Sequence, residues 1–208
     1  MKALVLYSGG KDSHYALFCA LQAGYSCELL SILPAQDSLL FHYPNIKWAS
    51  LHAKKMGLKI HFTNENDFAQ TLNEKIKKEK FNCLVSGAIE SEFQKERFDF
   101  LCEENKIFLY SPLWRKNKKE LMREMLDAME FIIASVSAEG MGKEFLGKKV
   151  DARMLGEFEK KKINISLEGG EGETFVINSP LFDSPVEIKK ARIEWDGVRG
   201  SYVIEEAQ

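Results

Sequence analysis

The sequence predicts an α/β fold: a doubly wound parallel sheet followed by a smaller C-terminal α+β domain. Two observations carry this expectation. Short apolar runs alternate with amphipathic helical stretches as far as Pro112, as in a sheet covered by helices on both faces. Beyond Pro112 the alternation weakens, and helices mix with longer strands that end in a hairpin. The expected division is therefore 1–112 for the parallel-sheet domain and 113–208 for a smaller one, with no disordered linker between them.

Taken in order, "KALVLY" reads as the first strand and "DSHYALFCALQAGY" as a helix. Ala16, Leu17, Ala20 and Leu21 fall on one side of that helix, and Gly24 is placed to end it. "CELLSIL" is the second strand, followed by the loop "PAQDSLLFHYPN" and the helix "IKWASLHAKKMG", closed by Gly57. "KIHFT", "CLVSGAI" and "KIFLY" are the next strands, separated by the helices "DFAQTLNEKIKKEK" and "ESEFQKERFDFLCEEN". In the second part, "KKELMREMLDAM" and "DARMLGEFEKKK" read as helices. "EFIIASVSAEG", "EGGEGETFVINSPLF" and "VEIKKARIEWDGVRGSYVIEE" read as strands, the last with a turn near "DGVRG". The charged runs "KIKKEK" and "EKKK" are solvated helix faces.

Composition narrows the function. Across 208 residues, 29 Lys and Arg stand against 31 Asp and Glu, a formal charge of −2. That balance supplies no general polyanion-binding field and speaks against a nucleic-acid partner. The four cysteines, Cys19, Cys27, Cys83 and Cys102, form no CxxC pair, which suggests a reducing compartment. No stretch approaches the ~18 apolar residues of a membrane helix, nor does the N-terminus read as a leader. A cytoplasmic, unanchored protein is expected. His14, His42, His52 and His61 show no metal-ligand spacing.

"SGGKDS", residues 8–13, follows the first strand and opens the first helix. A glycine turn there exposes consecutive backbone N–H groups at the positive end of the helix dipole, a site for phosphate. Gly9 and Gly10 keep side chains clear and Lys11 adds a cation. Ser8 and Ser13 offer hydroxyls, and Asp12 can cap the helix or hold Mg2+ through water. Neither the GxxxxGK[ST] spacing nor GxGxxG fits.

This pattern resembles the pyrophosphate loop of the N-type ATP pyrophosphatases, which cleave ATP between its α and β phosphates and pass AMP to a carbonyl or carboxylate oxygen. The resemblance implies a Rossmann-like sheet of HUP type, ATP and Mg2+ as cofactors, Lys11, Asp12 and Ser13 as catalytic residues, and Asp12 as the metal ligand. "FHYPN" at 41–45, "GAIESEFQKERFDFLC" at 87–102, "PLW" at 112–114 and "EGGEGETFVINSPLF" at 168–182 are similar to the diphthine–ammonia ligase branch of that family. By this resemblance Gly87, Ala88 and Ile89 lie beside the nucleotide, while His42, Asn45, Gln94, Arg97, Glu168, Glu171, Glu173 and Thr174 bind substrate. The branch usually carries an aromatic residue where this chain has Gly172, a departure that could open the pocket.

Read this way, the chain adenylates the carboxylate of diphthine on translation elongation factor 2 and amidates it with ammonium. No glutaminase nucleophile is evident, so free ammonium is the expected donor. Two other readings keep the loop and change the rest: a tRNA base as acceptor, or a regulatory protein that holds ATP without turnover. On spacing alone, a surface ion pair of Arg97 with Glu96 or Asp99 stands level with a guanidinium fork on a phosphate or the substrate carboxylate, and the resemblance favours the fork. Glu168, Glu171 and Glu173 crowd three carboxylates that call for a cation such as Mg2+, ammonium or the quaternary ammonium of diphthine. Trp114 is a candidate pocket wall, and the final hairpin offers a contact for a homodimer.

Overall fold

Five parallel strands, in the spatial order Ile60–Asn64 (β3), Ser26–Leu33 (β2), Lys2–Leu6 (β1), Cys83–Val85 (β4) and Phe108–Tyr110 (β5), form the first sheet, and four antiparallel strands, in the order Gly172–Asn178 (β7), Glu130–Val136 (β6), Gly200–Ala207 (β9) and Ile188–Trp195 (β8), form the second. The computed structural model describes residues 1–34 and 45–208. Two compact units result: Met1–Ser8 with Asp12–Arg115, and Gly9–Lys11 with Lys116–Gln208.

In the first unit β1 (Lys2–Leu6), α1 (Lys11–Gln22), β2 (Ser26–Leu33), α2 (Ala49–Met56) and β3 (Ile60–Asn64) make the first half of the winding. The second half is α3 (Phe68–Glu79), β4 (Cys83–Val85), α4 (Glu92–Asn105) and β5 (Phe108–Tyr110). β1 pairs with β2 on one side and β4 on the other, both parallel. Right-handed crossovers then put α1 and α2 on one face and α3 and α4 on the opposite one. The core agrees: Leu4, Leu30 and Leu84 of the sheet pack with Phe68, Leu72 and Ile76 of α3 and Phe98 and Leu101 of α4. The expected helix at 46–57 is split, with Ile46–Trp48 in a 3₁₀ turn before α2. Gly57 ends α2 at φ 64°, a left-handed position that glycine occupies without a Cβ penalty.

Away from the loop of residues 8–13, the ends of β1 and β2, with β3 and α3, are tied by a polar network. Lys2 Nζ lies 2.8 Å from Glu28 Oε1, and Glu79 takes Lys75 at 2.9 Å and Lys59 at 3.0 Å. His61 joins through Nε2 to Glu28 at 2.8 Å and through Nδ1 to Lys75 Nζ at 2.8 Å. An ammonium can only donate, so Nδ1 accepts and the Nε2 hydrogen goes to Glu28. Glu28, His61 and Glu79 bring ligand atoms within 4.8 Å of one another, but the three ammonium groups already answer their charge.

The Lys75 hydrogen bond holds the Glu79 carboxyl down at about 2 against an ordinary 4.5. A carboxyl depressed in the folded state contributes stability above its unfolded pKa, and the contribution is lost as pH falls from about 4.5 towards 2. Glu79→Gln is therefore expected to melt roughly 2–4 °C below the native protein at pH 7. Melting curves taken down to pH 3 should show that gap closing.

The second unit holds α5 (Lys118–Ala128), β6 (Glu130–Val136), α6 (Ala152–Lys161), β7 (Gly172–Asn178), β8 (Ile188–Trp195) and β9 (Gly200–Ala207). Asn117 caps α5 by accepting from the N–H groups of Lys119 and Glu120, and Asp151 caps α6 from Met154 N–H at 2.8 Å. Phe131, Phe158 and Phe175 are fully buried, each contributing on the order of 1.5–3 kcal/mol. β6 stops at Val136, short of the expected Gly140, because Ser137 and Ala138 turn their N–H groups to the Glu171 carbonyl. At the hairpin, Asp196 Oδ1 accepts from Val198 and Arg199 N–H, and Gly197 sits at φ 107°. Among the described residues no helix is long and apolar enough to cross a membrane.

Candidate functional site

The order β3-β2-β1-β4-β5 reverses its winding direction between β1 and β4, and an open α/β sheet places its ligand crevice at the carboxyl ends of such strands. The loop of residues 8–13 leaves β1 at that point. Gly9 takes φ 84° and α1 starts at Lys11. Ser13 Oγ accepts from Ser8 N–H at 3.1 Å and lies 3.1 Å from Ser8 Oγ, so the two hydroxyls close the loop on itself. Asp12 stands in the first turn of α1, beside the N–H groups that no helical carbonyl can reach.

β4 ends at Val85, and the residues after it press on the same loop. A Cβ on Gly87 would lie 2.8 Å from the carbonyl carbon and oxygen of Asp12 and 2.9 Å from Ser13 N. Only glycine fits here. Ser86 Oγ accepts from Ala88 N–H, and the Ile89 carbonyl accepts from Arg115 N–H at 2.8 Å. Ser8, Asp12, Ser13 and Gly87 are thus brought together within the first unit.

Gly9–Lys11 group with the second unit through two hydrogen bonds to β7. Lys11 N–H donates to Thr174 Oγ1 at 3.0 Å, and Val176 N–H donates to the Gly9 carbonyl at 3.0 Å. Lys11 is buried, 3% exposed, and Thr174 is 8% exposed. Thr174, expected on the substrate side, therefore holds the loop backbone. Sequence reading could not find this pairing, which spans 163 positions.

The other expected substrate residues are spread out. Ser91 caps α4 by accepting from Gln94 N–H at 3.4 Å, which fixes Gln94 in the first turn. The Arg97 guanidinium sits 5.8 Å from the centre of the Phe68 ring, a cation–π contact, and Asp99 pairs with Lys95 instead. Glu171 Oε2 accepts from Asn164 N–H at 2.7 Å, so that carboxylate braces its own loop. Glu168 contributes its carbonyl to Asn164 Nδ2 at 3.4 Å, and Glu173 pairs with Ser135 across β6 and β7. Asn45 is buried ahead of the 3₁₀ turn, and His42 lies outside the described residues. Trp114 has cations beside it, Lys95 Nζ at 5.9 Å and Arg115 at 5.7 Å from its ring centre.

Two histidines set aside on spacing are buried next to the loop. Tyr7 OH lies 2.8 Å from His14 Nδ1 and 2.9 Å from His52 Nδ1. Burial pushes His14 down to about 3 and Tyr7 well above its ordinary range, so both are neutral at pH 7. The available signal was position: His14 stands three residues before Leu17 on the inner side of α1, and His52 lies beside Ala53 on that of α2. All four cysteines are free thiols, and burial lifts Cys27 to about 11 and Cys102 to about 12.

Comparison with known proteins decides the family. Residues 1–108 match the model of the diphthamide synthase N-terminal domain, and residues 117–208 match that of its C-terminal domain. The chain belongs to the diphthamide synthase family. It is similar to the human protein named diphthine–ammonia ligase, with 29% identity over 93% of this chain and 85% of that protein. The Danio rerio protein of the same name is 30% identical over 90% of this chain and 86% of its own length. Among solved structures, a chain described as a "predicted subunit of tRNA methyltransferase" from Methanocaldococcus jannaschii aligns at a TM-score of 0.49 and 17% identity, over 86% of this chain and 98% of that one.

Within this diphthamide synthase family chain, Gly172 has a steric explanation. A Cβ there would lie 2.8 Å from the Ser135 carbonyl oxygen, next to the register shift between Ile133 and Ser135 in β6. The β6 backbone occupies the space that a side chain on Gly172 would enter, so the missing ring leaves no opening. Gly172→Tyr is expected to cost about 1–3 kcal/mol through overpacking, read as a lower midpoint in thermal or urea unfolding.

Proposed function

We propose that this chain is a diphthine–ammonia ligase: it adenylates the carboxylate of diphthine on translation elongation factor 2 and amidates it with free ammonium, giving diphthamide, AMP and pyrophosphate. The observation that carries the proposal is the match of both parts of the chain to the two diphthamide synthase domains. The glycine loop at the reversal point of the sheet supports it.

Residues 1–112 bind ATP and residues 113–208 bind the acceptor. Ser8, Gly9, Gly10, Lys11, Asp12 and Ser13 receive the β and γ phosphates through backbone N–H groups, hydroxyls and the Lys11 ammonium. Gly87, Ala88 and Ile89 flank the nucleotide. A carboxylate oxygen of diphthine attacks the α phosphorus, the bond to the bridging oxygen breaks, and pyrophosphate departs. Lys11 and the amino end of α1 offset the negative charge that grows on it. Ammonia then adds its electron pair to the acyl carbon, AMP leaves, and the surplus proton passes to solvent.

A single carboxylate joined to phosphate oxygens is a donor set that suits magnesium, so Asp12 would hold Mg2+, which would supply charge neutralisation on the phosphates. On the acceptor side, His42, Asn45, Gln94 and Arg97 orient the substrate, and Glu168 and Glu173 face its quaternary ammonium. Glu171 and Thr174 serve by fixing the acidic turn and the phosphate loop. The test is conversion of diphthine-bearing elongation factor 2 with ATP and ¹⁵N-ammonium. One labelled amide per AMP and pyrophosphate is expected, and release of ADP would refute the assignment.

A further inference from the structure

Tyr7 is the last residue before the phosphate loop and His14 the first after it. Their side chains meet 2.8 Å apart beneath that loop, and His52 of α2 reaches the same hydroxyl at 2.9 Å. All three are buried, with 2%, 1% and 0% exposure. The His14 and His52 rings stand nearly perpendicular, 6.2 Å apart. A phenol carries one hydrogen, so its hydroxyl donates to one imidazole at most and accepts from at least one, whose Nδ1 then carries the proton. Ala16, Leu17, Ala20, Ala49 and Ala53 of the same two helices are fully buried, so this polar trio sits on helices whose inward faces are apolar.

A loop containing Gly9 and Gly10 loses much conformational freedom when it orders. Tying its entry to its exit, and both to a helix, removes that cost before a ligand arrives. Tyr7 is fixed in turn from the sheet, with its N–H on the Leu30 carbonyl and its own carbonyl taking Ser31 Oγ at 2.6 Å.

We propose that Tyr7, His14 and His52 are positioning residues that set the loop of residues 8–13 in the conformation that receives the pyrophosphate of ATP. The inference rests on the ATP reading above and assigns these groups no contact with substrate.

The test uses the full chain, with isothermal titration of ATP, steady-state kinetics against ATP and against diphthine-bearing elongation factor 2, and melting curves. Tyr7→Phe keeps the ring and removes the bridge. It is expected to raise both Kd and KM for ATP roughly tenfold, with KM for the protein substrate unchanged. His14→Asn can still place a polar atom near the Tyr7 hydroxyl and should stay close to native, whereas His14→Leu should match Tyr7→Phe.

Should Tyr7→Phe fail to fold, the His14 pair and His52→Leu against His52→Asn report the same difference. A fall in melting temperature and in active fraction across all variants, with KM for ATP unmoved, would overturn the inference, since that is what a merely structural trio gives. Native protein that binds ATP alongside variants that bind it equally well would overturn this inference alone. Native protein that binds no ATP would overturn both this inference and the ATP reading.

Discussion

Lys11→Ala is expected to lower kcat/KM for diphthine-bearing elongation factor 2 by roughly 10²–10³-fold, the usual cost of removing one charge-stabilising group from a developing anion. The side chain is buried at the first position of α1, where the helix dipole already favours negative charge. In the proposed reaction its side chain lies beside the departing phosphates and offsets the charge that grows on them. The backbone N–H of residue 11 keeps its bond to Thr174 whatever the side chain, so the loop should hold its shape. Melting within a few degrees of native, combined with the loss of AMP formation, is the expected pair of results. Retained turnover would mean that the phosphates bind elsewhere.

The second large effect is at Gly87. Its φ is ordinary, so the restriction is one of space: a methyl group would be driven into the Asp12 carbonyl and the Ser13 nitrogen at 2.8–2.9 Å. Backbone on both sides must then move. Gly87→Ala is expected to cost about 1–3 kcal/mol of stability and to weaken ATP binding at least tenfold, since roughly 1.4 kcal/mol is a factor of ten. Calorimetry with ATP and a melting curve measure the two parts. Gly24→Ala gives the contrast: at φ 81° with open space around it, it should show only the cost of left-handed strain, with ATP affinity intact.

The two variants also mark what could be read from the sequence. The loop of residues 8–13, the strand before it and the helix after it are local features, fixed by apolar periodicity and by glycines at a turn. The five parallel strands followed by mixed structure were legible for the same reason. What escaped depends on partners far along the chain. Thr174 is 163 positions from the amide it holds, and Tyr7 and His52 are 45 apart. No spacing rule connects them. Arg97 illustrates a different gap. Its neighbours Glu96 and Asp99 suggested an ion pair, yet the guanidinium lies over Phe68 from another helix. Gly172 looked like a missing ring until the β6 carbonyl opposite it was placed.

The buried, unionised thiols have a practical consequence. Alkylating reagents attack the thiolate, and burial suppresses it at Cys27, Cys83 and Cys102. A cysteine engineered onto an open turn, such as the one at Asp196–Arg199, would therefore outpace these three for a maleimide dye. With Cys19, the partly exposed fourth thiol, replaced, fluorescence polarisation from that one label could follow elongation factor 2 docking while the three buried sulfurs stay in place.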